Sequence, residues 1–385
     1  MRIGVLTSGG DVPGLNACIK AIVTHAEQRN WTVTGIMGGW RGLLEYDPQG
    51  DPEQNARLSR SLVTKALHGI ENVGGTILHT TRLNPVQIPP AALPKFLAGK
   101  VPDSAVEGHF DCTDHILEVL DHMDIDVLIP IGGDGSLRFS AHLSQKDFPV
   151  ISIPKTMDND VFGTDYCIGF STCVTRCVDS INKIRTTAAS HERVAIIELF
   201  GRYSGEPALL AGYVSSANRV LIPEVPIDLE MLSDLIAEDQ KSSRDNYAIA
   251  VVSEGARLAG GEAVYGSQVD IYGRKKLGGI GNILSDALRV NKKIDVLNQP
   301  LAYLLRSGEP DALDKLVAMT FGTMAIQLID KQDFGKMTVI RNGNYAIVDA
   351  TCVLAGKKSI DIVELYDEAN YRPHIRNVLG RPMYL

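Results

Sequence analysis

Three short runs in this 385-residue chain combine glycine, acidic and hydroxyl residues in patterns suited to phosphate chemistry. The first is Ser8-Gly9-Gly10-Asp11, with Pro13-Gly14 behind it. Glycine lets backbone N–H groups come close to an anion, and the helix expected next adds its positive N-terminus. A Gly-Gly turn also meets a purely steric need between a strand and a helix. The second run is Gly132-Gly133-Asp134-Gly135-Ser136. Its glycines would let phosphate oxygens lie against the main chain, and Asp134 is a hard oxygen ligand suited to Mg²⁺, directly or through water. The same Asp would also suit a helix N-cap. The third is Pro154-Lys155-Thr156-Met157-Asp158-Asn159-Asp160, followed by Gly163-Thr164-Asp165. Two carboxylates two residues apart, flanked by an ammonium and a hydroxyl, offer a general base for a substrate hydroxyl and a neighbour that interacts with metal or orients the loop. The plain alternative is a solvated, charged loop.

Each run follows a stretch with strand character, and such stretches set the framework. Apolar segments without polar alternation are predicted as strands at 2–7, 126–131, 149–154, 194–200 and 248–253, with a further short strand at 33–39. Helical stretches stand between them, including 111–122 capped by Asp111 or Thr113, one near 136–144, one at 171–186 and one at 311–330. Continuous apolar strands alternating with helices imply mainly parallel sheets covered on both faces. Ligands of such sheets sit at the carboxyl ends of the strands, where all three runs fall. The expected architecture is α/β: two Rossmann-like three-layer lobes, 1–167 and 168–385, with the active site in the cleft between them and part of 306–332 packing back on the first. The stretch 84–108, with five prolines, reads as a surface excursion, Asn342-Gly343 as a hairpin turn, and YRPHIRNVLGRPMYL as a basic tail.

Composition removes several function classes. Glycine (36) and proline (18) stand near average usage, against a collagen-like or low-complexity chain. The net charge of −8 has the wrong sign for broad attraction to nucleic acid or an anionic membrane. No nucleic-acid or membrane partner is expected, and anions must be held by local groups. No run approaches the ~20 apolar residues needed to span a bilayer, and no signal-peptide pattern opens the chain, so a cytoplasmic location is expected. Cys18, Cys112, Cys167, Cys173, Cys177 and Cys352 form no CxxC pair and read as reduced, packed thiols. Cys173 and Cys177 share a helix face, but no His joins them as a metal ligand.

The segments TSGGDVPGLNA, IGGDGS, PKTMDNDVFGTDYCIGFSTCV, SHERVAIIELFGRYSGE, IPEVP, VVSEGA and LLRSGEPDALDKLVAMTFG occur in an order that resembles the phosphofructokinase family across most of the chain. The resemblance implies phosphoryl transfer to the 1-hydroxyl of fructose 6-phosphate. It implies Asp158 as the base, Thr156, Asp160 and Lys155 around the transferred group, and Arg202 neutralising its charge. Donor phosphates would lie on Gly9, Gly10, Arg82, Gly133, Asp134, Gly135 and Ser136, with Mg²⁺ at Asp134. The sugar phosphate would be met by Phe200, Gly201, Arg202, Glu254, Tyr303 and Arg306, and by Arg193 lent across the interface of a homodimer or homotetramer. Arg82, Lys155, Arg193, Arg202 and Arg306 would then gather at one cleft.

The chain also departs from the family pattern. Leu297 and Tyr303 stand where many bacterial members have an arginine and a histidine, which leaves another acceptor such as sedoheptulose 7-phosphate open. Thr24 replaces a cation of the effector site of allosteric members, while Lys20 keeps one, so weak or absent classical regulation is expected. Donor signals are mixed. Gly135 resembles ATP users, in which a side chain there would meet the α-phosphate; pyrophosphate users usually carry Asp. Lys155 resembles pyrophosphate users, though some ATP-using branches share it. Phe139 stands where ATP users of the bacterial type have a Gly that leaves room for the nucleoside, and the C-terminal YRPHIRNVLGRPM resembles the pyrophosphate branch. ATP is the expected donor and pyrophosphate the alternative. A catalytically silent sugar-phosphate-binding subunit is a different-class reading, opposed by the presence of Asp158, Asp134 and Arg202. A NAD or lipid kinase rests on GGDG alone and is opposed by PKTMDND.

Overall fold

The computed structural model describes residues 1–261, 265–269 and 275–380; the last five residues of the basic tail lie outside the described residues. The first part of the chain runs β1 (Arg2–Ser8), α1 (Leu15–Glu27), β2 (Thr32–Ile36), α2 (Trp40–Glu45), α3 (Pro52–Asn55), β3 (Ser59–Leu62), α4 (Thr113–His122), β4 (Val127–Gly132), α5 (Asp134–Gln145) and β5 (Ile151–Pro154). There follow α6 (Phe170–Ser190), β6 (Val194–Leu199), α7 (Glu206–Val214), β7 (Arg219–Leu221), α8 (Leu229–Ser242), β8 (Ala248–Ser253), β9 (Tyr265–Val269), β10 (Lys275–Leu277), α9 (Ile280–Lys292) and β11 (Val296–Pro300). The chain closes with α10 (Ala312–Asp330), β12 (Lys336–Arg341), β13 (Asn344–Asp349), α11 (Ile362–Leu365), β14 (Tyr366–Asp367) and β15 (Arg372–Pro373).

Packing divides the chain into two units. Unit 1 holds Met1–Thr156, Val161–Gly169 and Arg306–Lys357; unit 2 holds Met157–Asp160, Phe170–Leu305 and Lys358–Leu385.

Unit 1 is built on a seven-stranded sheet ordered β13-β12-β5-β4-β1-β2-β3. The five inner strands are parallel, while β3 and β13 run antiparallel at the edges. β4 is buried at every residue, as a central parallel strand must be. Register sets Ser8 beside Gly132 and Gly132 beside Pro154, so the three chemically suggestive runs leave the sheet side by side. Strand order reverses between β1 and β4, the switch point at which open α/β sheets bind ligands. The expectation that no run approaches bilayer-spanning length is corrected here: among the described residues, α10 is long and apolar enough to cross a membrane, by virtue of its apolar core-facing residues, and half of it is buried. It packs on α1, where Gly322 lets the helices close: a methyl there would stand 2.8 Å from the Cys18 carbonyl. The Asn342-Gly343 turn joining β12 and β13 has both residues at positive φ, 50° and 74°, as a two-residue hairpin turn requires. Helix α4 starts one residue later than its Asp111 option: Cys112 takes the cap position, and Asp111 Oδ1 accepts from Thr113 N at 2.9 Å.

Unit 2 contains a parallel sheet ordered β11-β6-β8-β7. β6, β7 and β8 are buried throughout. The C-terminal hairpin β14–β15 joins this unit through a buried ion pair: Arg219 Nη2 donates to Asp239 Oδ1 at 2.8 Å, and Arg372 Nη2 reaches the same oxygen at 2.7 Å.

Candidate active site

In unit 1 the carboxyl ends of β1, β4 and β5 supply the candidate donor-binding groups. Gly9 has φ of 93°, and a methyl on it would stand 2.8 Å from Lys155 Nζ. A methyl on Gly10 would stand 2.8 Å from Arg306 Nη1 and 3.2 Å from Arg82 Nη2. Glycine is therefore what allows three cations to crowd this turn. Lys155 is buried and donates to the Gly10 carbonyl at 2.6 Å. Arg82 is brought in by the strap before it: Gly9 N donates to Thr81 O at 2.9 Å, and Thr80 Oγ1 donates to Gly9 O at 2.8 Å. Arg306 also pairs with Asp11 at 3.4 Å. This residue, expected on the sugar phosphate, thus stands beside the first glycine turn.

Asp134 opens α5, with Gly133 as the cap residue, and Arg138 one turn later donates Nε to both of its oxygens at 3.0 and 3.1 Å. Arg138 is tied in turn to the Gly356 carbonyl at 3.0 Å. Ser136 is buried, whereas a side chain at Gly135 would meet nothing within 4 Å. Among the described residues there is no group of three or more His, Cys, Asp and Glu able to hold a metal. One carboxylate fits Mg²⁺, which keeps several waters and completes its shell from donor phosphates. Asp134 is the residue that would hold it.

Phe139 lies in the core. It is buried and packs edge-on against buried Trp40, ring centroids 4.7 Å apart and planes at 88°.

In unit 2 the candidate sugar-binding residues also follow strand ends. Leu199 closes β6 and is level with Ser253, which closes β8; Phe200-Gly201-Arg202 follows the first and Glu254 the second. Glu254 N donates to Leu199 O at 2.8 Å, and Gly255 N to Gly201 O at 3.1 Å. Gly201, at φ of 131°, is hemmed in by Ser204 O and Ser253 Oγ, each 2.7 Å from where a methyl would stand. Beyond the end of β11 comes Tyr303, whose ring meets Phe200 at 6.2 Å. Asp158 joins this group: its Oδ2 accepts from the backbone N–H of Arg202 at 3.3 Å. Asp160 is buried.

Arg193 is not brought to that cluster. It precedes β6 at the other end of the strand, about 20 Å away at ~3.3 Å per residue, and pairs with Asp295 at 2.6 Å. Leu297, near the start of β11, occupies the same end of the sheet. In unit 1, Lys20 pairs with Glu71 at 2.7 Å, a hydrogen bond that holds the Glu71 carboxyl below its ordinary range. The cation kept from the family's effector site is thus matched by an acid.

Comparison with known proteins shows the family of the chain. The family model described as phosphofructokinase matches residues 2–329. The chain belongs to the phosphofructokinase family. It is 37% identical over 348 residues to ATP-dependent 6-phosphofructokinase of Chloroflexus aurantiacus, covering 90% of this chain and 89% of the relative. It is 34% identical over 363 residues to pyrophosphate–fructose 6-phosphate 1-phosphotransferase of Dictyoglomus thermophilum, covering 94% and 95%. Pyrophosphate-dependent phosphofructokinase of Nitrosospira multiformis shares the fold, with a TM-score of 0.76 at 18% identity, over all of this chain and 95% of that one.

Two charged residues of unit 2 have no place among the site residues read from the sequence. Glu206 is buried as the first residue of α7, and Lys358 donates to it at 2.8 Å. A signal existed for the first, an acid opening an apolar helix four residues after Arg202. None existed for Lys358.

Proposed function

We infer that this chain transfers the terminal phosphoryl group of ATP to the 1-hydroxyl of fructose 6-phosphate, giving fructose 1,6-bisphosphate, a glycolytic step. Membership of the family and the likeness to relatives named for that sugar phosphate support the acceptor. The choice of ATP rests on Gly135, where a side chain would meet nothing within 4 Å, leaving room for a nucleotide α-phosphate. Donor oxygens would lie on the Gly9-Gly10 and Gly133-Gly135 turns, where Lys155 and Arg82 supply positive charge and Asp134 would hold Mg²⁺, which screens the donor phosphates when bound. Asp158 would take the hydroxyl proton, with Thr156 and Asp160 beside it, and Arg202 would meet the charge on the moving group. Phe200, Gly201, Glu254, Tyr303 and Arg306 would hold the sugar phosphate, joined by Arg193 of a second copy in a homodimer or homotetramer. A cytoplasmic setting accords with this role.

A second reading, pyrophosphate as donor, is favoured by Lys155, whose ammonium beside Gly9 and Gly10 would suit a small, highly charged donor. Coupled assays offering ATP and pyrophosphate separately, each with fructose 6-phosphate and sedoheptulose 7-phosphate, decide between them. Turnover with ATP and fructose 6-phosphate is expected. Vigorous pyrophosphate activity with none from ATP would overturn the donor assignment.

A further inference from the structure

The Asp158-Asn159-Asp160 turn is held from below by charges to which the transfer reaction itself assigns no task. Asn159 is fully buried at φ of 53°, a left-handed conformation that costs a non-glycine residue free energy unless its surroundings hold it. Its Nδ2 donates to Glu206 Oε1 at 3.0 Å. The other oxygen, Oε2, accepts from Lys358 Nζ at 2.8 Å, and the Lys358 backbone N–H donates to the Asp160 carbonyl at 3.2 Å. One lysine therefore grips the turn twice, once through Glu206 and once directly.

The same carboxylate opens α7, four residues after Arg202, whose N–H donates to Asp158. Behind it, Gly205 N donates to Glu224 Oε1 at 3.0 Å, and Ile360 N reaches that oxygen at 3.4 Å. The 358–360 segment thus secures both the Asp158 turn and the segment that carries Arg202. Lys358 lies beyond residue 329, where the family match ends, so this support comes from a part of the chain outside the matched region.

We propose that Glu206 and Lys358 are positioning residues that lock the Asp158-Asn159-Asp160 turn in its left-handed conformation and so aim Asp158 at the substrate hydroxyl. The reaction in this statement rests on the function inferred above; the locking of the turn does not. A buried carboxylate satisfied by an amide and an ammonium at once is rigid, because removing either partner leaves a buried polar group unpaired. Rigidity at this point converts into rate, since a small misplacement of a catalytic group is costly.

The test uses Glu206→Gln, Lys358→Met and Lys358→Arg in the full chain. Glu206→Gln keeps the shape of the side chain while removing its charge, and Lys358→Arg keeps the cation, so the two approach the lock from opposite ends; thermal melts select the folded variants for comparison. Hydrogen–deuterium exchange of the peptide containing residues 157–161, measured without substrates, is expected to quicken at least tenfold in Glu206→Gln and Lys358→Met, and to return toward the unmodified rate in Lys358→Arg. In steady-state assays kcat is expected to fall at least tenfold in the first two, with KM for fructose 6-phosphate within threefold, and Lys358→Arg to recover most of kcat. Unchanged exchange in folded Lys358→Met overturns the lock. Faster exchange with unchanged kcat overturns its role in aiming Asp158. If the unmodified protein transfers no phosphoryl group to fructose 6-phosphate, the inferred function fails, and the exchange measurement still decides the lock.

Discussion

The Arg202 N–H donates to the Asp158 carboxylate, which joins the proposed base to the segment that carries the proposed charge-neutralising group. Replacing Asp158 by Ala is expected to lower turnover by about 10²–10⁴, the usual worth of a general base, while leaving sugar-phosphate binding within a few-fold; isothermal titration beside a coupled assay separates the two. At the donor, Gly135→Asp places a carboxylate in space that is now open and adds repulsion to bulk against an α-phosphate. ATP turnover is expected to disappear and pyrophosphate turnover to persist or rise. Glu206 carries a pH signature. Burial pushes its carboxyl from 4.5 to about 6 against the opposing pull of Lys358 and Asn159, with Glu224 adding to the rise. The folded chain thus binds this proton more readily than the unfolded one, and stability from this group falls as pH climbs from 4.5 through 6. At ~1.4 kcal/mol per pH unit the full effect is about 2 kcal/mol. Thermal melts from pH 5 to 7 should show the unmodified protein losing ground to Glu206→Gln as pH rises; parallel curves would refute the shift.

The elements that deliver these residues are short parallel strands ending in glycine or acidic turns. That much was legible, because a buried parallel strand has no polar alternation and its end is marked by residues that permit tight turns. β4 and its Gly132-Gly133 exit, and β6 with its Phe200-Gly201-Arg202 exit, are examples. What pattern could not supply was the partner of each polar side chain. Asp134 reads equally as a metal ligand or a helix cap, and nothing in GGDGS foretells that Arg138 grips both its oxygens. Phe139 reads as a donor-site residue by position, yet its burial against Trp40 comes from α2, about a hundred residues earlier. Long-range pairings such as Lys358 with Glu206 carry no local periodicity at all. The helix scale also has its own test. Phe139→Ala empties a fully packed site between α5 and α2 and is expected to cost about 3–5 kcal/mol, read as a lowered denaturation midpoint. A loss under 1 kcal/mol would mean that the ring is not part of the core.

At the scale of the whole molecule, Arg193 stands at the end of β6 away from Phe200 and Glu254. If it serves the sugar phosphate, it does so in the site of another copy. Asp158→Ala and Arg193→Ala are each expected to be nearly inactive alone. Mixed after dissociation and reassembly, they should regain a measurable share of activity, because a hybrid site takes Asp158 from one chain and Arg193 from the other. No recovery in a confirmed hybrid would remove Arg193 from the site. None of the six cysteines is in a disulfide and five are buried, with burial pushing Cys112 up to about 12.

The interleaving of the two units also governs how the chain is made. β5 must pair with β12 to complete the first sheet, and 181 residues lie between Pro154 and Lys336. On a ribosome adding ~5–20 residues per second, the β5 edge waits about 10–40 s for its neighbour. During that interval an apolar strand edge is open to the wrong partner. A message cut short after residue 305 would release a chain with no β12 or β13 and no Lys358, a product fit for the protease rather than for assembly.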